Sequence, residues 1–111
     1  MTIEKSSPIE YHTIMKNLDE AKKIIADNKK QLKDQFHVQN IGIFGSYVRH
    51  EQKKASDIDV LVEFSRPVGF FTFIDLEKYM EKKLGVKVDL VTRNALKPAI
   101  GRHILREVSY I

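Results

Sequence analysis

Three short apolar runs, residues 38–44, 57–64 and 86–91, are rich in Val, Ile and Leu, and the segments between them follow a different period. Leu18, Ala21, Ile24, Ile25, Leu32 and Phe36 recur at helical spacing, as do Phe70, Phe73, Ile74, Met80 and Leu84. Strands interleaved with helices bury both kinds of apolar face by packing the helices on a sheet. The pattern therefore implies an α+β or α/β fold. With 111 residues, 42% of them hydrophobic, the chain can bury one core but has no room for a separate substrate domain.

Punctuation residues set the expected boundaries. Ser7-Pro8-Ile9-Glu10 has the form of a capping box, and residues 8–16 read as a helical extension or a separate turn. Asn17-Leu18-Asp19-Glu20 is a second such start, opening one amphipathic helix over residues 18–35. Gly45-Ser46 stops the first strand, residues 46–51 are expected to form a short helix, and 52–56 a polar loop. Pro67 and Gly69 break the chain before the second long helix, which Gly85 ends as a C′ residue. A last helix is expected over residues 98–109. Residues 1–17 thus form an N-terminal extension, partly helical, and residues 18–111 the folded domain.

Composition removes several classes of function. There is no cysteine, hence no disulfide, thiolate metal site or cysteine nucleophile. No apolar run approaches the roughly 20 residues that span a bilayer, and the N-terminus lacks the apolar core of a secretory signal. The cytoplasm is the expected compartment. The formal net charge of +4 favours anionic partners such as nucleotides. The lysines are spread out, with no dense stripe interleaved with aromatics, so direct nucleic-acid binding is not expected.

Three carboxylates carry the chemistry. Asp57 and Asp59 are two residues apart, so an extended strand points both to one face. Asp89 lies inside Val86-Lys87-Val88-Asp89-Leu90-Val91, where an acid is costly unless something satisfies it. Three clustered carboxylates repel one another, and a divalent cation removes that penalty. An oxygen-only donor set suits Mg²⁺ and, with phosphates, a pair of ions for in-line phosphoryl chemistry. Gly45-Ser46 supplies the second part. Glycine lets the backbone approach a phosphate, a helix N-terminus offers N–H groups to an anion, and Ser46 adds a hydroxyl.

Other side chains read less sharply. Arg49 is a candidate phosphate contact, or the partner of Glu51 or of an aspartate in an ion pair that organises the site. Ser56 is placed to cap the turn before the second strand, and Lys53 and Lys54 read as solvated. His12, His37, His50 and His103 show no metal-ligand spacing. Arg102, His103 and Arg106 form a basic helix face. Phe70 and Phe73 read as core, whereas Phe71 falls off that stripe and is a candidate partner contact.

The stretch IGIFGSYVRHEQKKASDIDVLVEF resembles the signature of the DNA polymerase beta-like nucleotidyltransferase superfamily, and within it the minimal nucleotidyltransferase branch. The likeness runs on through GFFTFIDLEKYMEKKLGVKVDLVTRNALKP and covers residues 18–111. The matching positions are Gly45, Ser46, Asp57, Asp59 and Asp89; His50 stands where members often carry glycine. The resemblance implies a small mixed β-sheet with helices packed on it, with Asp57, Asp59 and Asp89 as metal ligands and Asp89 also as base. It implies two Mg²⁺ ions, ATP as substrate and nucleotide contacts from Gly45, Ser46 and Arg49. Such proteins are commonly antitoxins of HEPN-domain RNase toxins, which related members inactivate by transferring AMP to a tyrosine. Neutralisation by binding alone, or transfer to a small molecule or RNA, stays open at this point.

Overall fold

The computed structural model describes residues 17–53 and 56–111. The capping box at Ser7, the helical extension over residues 8–16, His12 and Lys54 lie outside the described residues.

Two helices, α1 (Leu18–Asp27) and α2 (Lys29–Phe36), precede strand β1 (Val38–Phe44). A 3-10 turn, Gly45–Tyr47, leads towards β2 (Ile58–Phe64). Helix α3 (Phe70–Leu84) crosses over to β3 (Val88–Thr92). A second 3-10 turn, Arg93–Ala95, is followed by α4 (Pro98–Glu107) and the short β4 (Ser109–Tyr110). The sheet order is β3-β2-β1-β4. Strands β2 and β3 are parallel, and β1 is antiparallel to both β2 and β4, so the sheet is mixed and the fold α+β.

Local chemistry explains most boundaries. Asn17 caps α1, its Oδ1 accepting from the Glu20 N–H at 2.9 Å. The single helix expected over 18–35 is broken at Asn28. Its amide donates back to the Ile24 carbonyl at 2.7 Å, while its Oδ1 accepts from the Tyr79 hydroxyl at 2.8 Å. Such local bonds compete with helix propagation. The expected strand start at Val86 shifts to Val88, whose N–H is taken by Glu81 Oε2 at 3.1 Å. The last helix stops at Glu107 rather than 109, because Ser109 and Tyr110 pair with Ile43 and Gly42 instead.

Strand alternation gives the sheet two faces. Ile58, Val60, Val62, Val88 and Leu90 pack with Ala21, Ile25, Leu32, Leu76, Met80 and Leu84 of α1, α2 and α3 in the main core. Each such fully buried Leu or Met contributes about 1.5–3 kcal/mol through the apolar area it removes from water. On the opposite face Ile104 of α4 packs on Phe44 and Leu61. Asp59 and Asp89 share the strand phase of Leu61 and Val91, and so lie on this second face.

Candidate active site

The parallel register of β2 and β3 sets Asp59 directly against Asp89. On the other side of β2, Asp59 pairs with Phe44, the last residue of β1, so the Gly45–Ser46 turn begins beside the carboxylate. Burial, the facing Asp89 charge, a hydrogen bond to Asp89 and the Asp57 charge push the Asp59 carboxyl up to about 6; Arg49 pulls weakly the other way. A shared proton is the expected response of crowded carboxylates without a counter-ion.

Asp89 is exposed, between buried Val88 and Leu90. The cost expected of an acid inside an apolar strand does not arise, because Asp89 stays exposed on the second face while Val88 and Leu90 point into the main core. Asp57 lies one residue before β2, in the approaching loop, and is exposed. The strand rule that would set it beside Asp59 therefore does not extend to it. Its charge still reaches Asp59, and it acts with burial to raise the Tyr47 hydroxyl above the ordinary tyrosine value. Among the described residues no three His, Asp or Glu side chains converge closely enough to hold a metal ion. Asp59 and Asp89 face each other as a pair, with Asp57 standing off.

Gly45 has φ +80°, the left-handed region that favours glycine. A Cβ there would run into Asp59 Oδ2, so the turn and the carboxylate are fitted to one another. The short helix expected over residues 46–51 is a three-residue 3-10 turn. Its Gly45 N–H is not open to solvent anions: it donates to Glu107 Oε2 at 2.7 Å. Arg49 donates from Nη1 to Glu107 Oε1 at 2.7 Å and from Nε to Glu51 Oε1 at 2.9 Å. Arg49 thus makes the ion pair with Glu51 that is one of its two expected roles, and a second with Glu107. Ser56 Oγ accepts from the Lys53 N–H at 2.8 Å and caps the loop before Asp57.

A model of the nucleotidyltransferase domain matches residues 22–111. The chain belongs to that family. It is 46% identical over 97 residues to the protein adenylyltransferase MntA of Thermococcus cleftensis, covering 87% of this chain and 98% of that protein. Among solved structures it is similar to one described as a candidate minimal nucleotidyltransferase, at 28% identity and TM-score 0.67, over 80% of this chain and 93% of the other. It is also similar to a chain in a crystal structure of a toxin–antitoxin with AMP-PNP, at 26% identity and TM-score 0.66, over 81% and 70% of the two chains.

The candidate site suits a hard divalent cation by the type of its donors, though among the described residues Asp59 and Asp89 alone face each other closely. The site's donors are carboxylate oxygens, and the Asp89 and Asp57 charges, which add to burial in raising the Asp59 carboxyl, are charges that such an ion would neutralise. Glu107 is the residue that sequence reasoning missed. The signal available was its place at the end of a helix, where the dipole disfavours a carboxylate. His50, where the resemblance leads one to expect glycine, has φ 59°, a backbone that glycine adopts without strain.

Other features stand apart from this site. Phe70, expected in the core, is 71% exposed beside Phe71 at 81%; both sit at the first turn of α3, before the helix reaches the sheet. A groove of about 500 Å³ lined by Phe64, Arg66, Phe70, Phe73 and Arg93 lies at the strand ends remote from Asp59 and Asp89. Arg102, His103 and Arg106 are exposed on α4. No helix among the described residues is long and apolar enough to cross a membrane.

Proposed function

We propose that this chain transfers AMP from ATP to a tyrosine hydroxyl of a partner HEPN toxin in the cytoplasm, and so acts as its antitoxin. The observation that carries the reading is the in-register Asp59–Asp89 pair beside the Gly45–Ser46 turn. Support also comes from the likeness to MntA, named a protein adenylyltransferase, and to a chain of a toxin–antitoxin structure containing AMP-PNP.

In this reading Asp59 and Asp89 hold Mg²⁺ from adjacent strands, and Asp57 completes the ligand set from the loop. Two Mg²⁺ ions, when bound, neutralise the phosphates and make the acceptor hydroxyl a better acid. Ser46 donates its hydroxyl to the outgoing phosphates. The acceptor oxygen forms a bond to the α-phosphorus, the α–β bridging bond breaks, and pyrophosphate leaves. The acceptor proton passes to the exposed Asp89 carboxylate. Gly45 keeps the turn free of a Cβ that would displace Asp59.

The test is incubation of the chain with ATP, Mg²⁺ and the toxin, at far less antitoxin than toxin. The expected result is a toxin carrying an added AMP on tyrosine, still silent after the antitoxin is removed. A toxin that stays unmodified, and is neutralised only at stoichiometric ratio, would make this a binding antitoxin governed by mass action.

A further inference from the structure

Glu107 is held where two effects oppose a charged carboxylate. It is the last residue of α4, against the negative end of the helix dipole, and its side chain is only 13% exposed. Burial alone would push its carboxyl up. The Gly45 N–H, the Arg49 guanidinium and the nearby His103 together outweigh burial and hold it below the ordinary glutamate value. Its two oxygens are divided: Oε2 accepts from the Gly45 N–H and Oε1 from Arg49 Nη1, each at 2.7 Å. Charge-assisted bonds of this length are strong and directional.

Gly45 is consequently fixed from two sides. Asp59 fills the space where a Cβ would stand, and Glu107 takes its N–H. The Gly45 N–H is therefore already committed and is not the group that meets a phosphate. The next residue is differently placed: Ser46 makes no side-chain hydrogen bond among the described residues, so its hydroxyl is available. Arg49 is drawn by the same carboxylate to a position where its charge acts on Asp59.

We propose that Glu107, by bridging the Gly45 N–H and Arg49, is a positioning residue that locks the Gly45–Ser46 turn in its left-handed form and so presents Ser46 to the nucleotide phosphates. The proposal rests on the nucleotidyl-transfer reading above. Glu107 touches neither substrate nor reacting atoms; it acts through the turn. Glutamine keeps the size but turns one acceptor into a donor, which must then face Gly45 N–H or Arg49, both donors themselves.

The experiment measures affinity for Mg²⁺ with a non-hydrolysable ATP analogue in the whole chain, in wild type, Glu107→Gln, Ser46→Ala and the double variant. Glu107→Gln is expected to weaken binding roughly tenfold, the scale of a single charge-assisted hydrogen bond. Ser46→Ala should then cost much less in the Glu107→Gln background than in wild type, because an unlocked turn no longer presents that hydroxyl. Unchanged affinity in Glu107→Gln, additive losses, or tighter binding would each overturn the proposal; tighter binding would mean that Glu107 competes with phosphate. A wild type that binds no analogue overturns the nucleotidyl-transfer reading itself. Should the variants fail to fold, the wild-type Gly45 amide decides by NMR. It is expected to stay protected from exchange and little shifted on addition of analogue, while the Ser46 amide moves. Loss of Gly45 protection on binding would overturn the positioning role.

Discussion

Asp59 on β2 and Asp89 on β3 are register partners across a parallel pair, so two acids that are 30 positions apart in the chain stand on one face of the sheet. Parallel pairing of β2 with β3 requires a crossover, which α3 provides by packing Leu76, Met80 and Leu84 into the main core. The packing of one face thereby fixes the separation of charges on the other.

Replacing either acid with Asn should separate fold from chemistry. Asp59→Asn and Asp89→Asn are expected to lose AMP transfer by at least about a hundredfold, the scale of a missing electrostatic or acid–base group. Each should melt at or above the wild-type temperature in EDTA, since a like-charge repulsion is removed. Transfer assays beside thermal melts check this, and a variant that keeps transfer would remove the pair from the mechanism.

The Asp59 carboxyl gives stability a pH dependence of definite sign. Its folded value is raised to about 6, above the ordinary 3.8, so the folded chain binds more protons than the unfolded chain between those values. Stability of the metal-free protein should then fall as pH rises from about 4 to about 6, by on the order of 1 kcal/mol after solvent screening of a half-buried group. The difference between wild-type and Asp59→Asn melting curves in EDTA across that window isolates the effect. A flat difference would mean that the pair shares no proton. Glu107, held low, contributes in the opposite sense, with stability lost as pH falls below the ordinary glutamate range.

Gly45→Ala should be severe for two separable reasons. The left-handed backbone disfavours a Cβ by about 1–2 kcal/mol, and that Cβ meets the Asp59 carboxylate. Loss of both stability and nucleotide binding is expected, by denaturant unfolding and by titration with an ATP analogue. A variant as stable as wild type would mean that the turn can take another form.

His50→Gly should act differently. With φ 59° at a non-glycine residue, glycine relieves local strain but adds freedom to the unfolded chain. The expected net is a gain of up to about 1 kcal/mol with AMP transfer unchanged. A loss of stability in denaturant titration would assign His50 a contact beyond its backbone.

Local patterns reveal the strands and the long helix α3, because their apolar periods agree with what tertiary packing uses. The break at Asn28 is hidden because it depends on Tyr79, 51 residues away. The Gly45–Ser46 turn and the Asp59–Asp89 pair are readable from residue type and spacing. Asp57 reads as part of a strand that in fact starts one residue later, and strand ends are set by pairing partners that a single sequence does not display. Glu107 is invisible for a related reason. Its meaning arises only when α4 folds back over the second face and brings its last turn to the start of another, 62 residues earlier in the chain.

The contact between Gly45 and Asp59 also orders how such a site can decay. While Asp59 is present, any side chain at position 45 must displace a carboxylate as well as strain the backbone. Once Asp59 is replaced by a smaller residue, only the backbone strain remains. Lineages that abandon the chemistry should therefore lose the acid before the glycine, and a descendant retaining Gly45 beside a vanished Asp59 records an intermediate stage. The reverse combination, a bulky residue at 45 with the acid intact, should be rare on steric grounds alone.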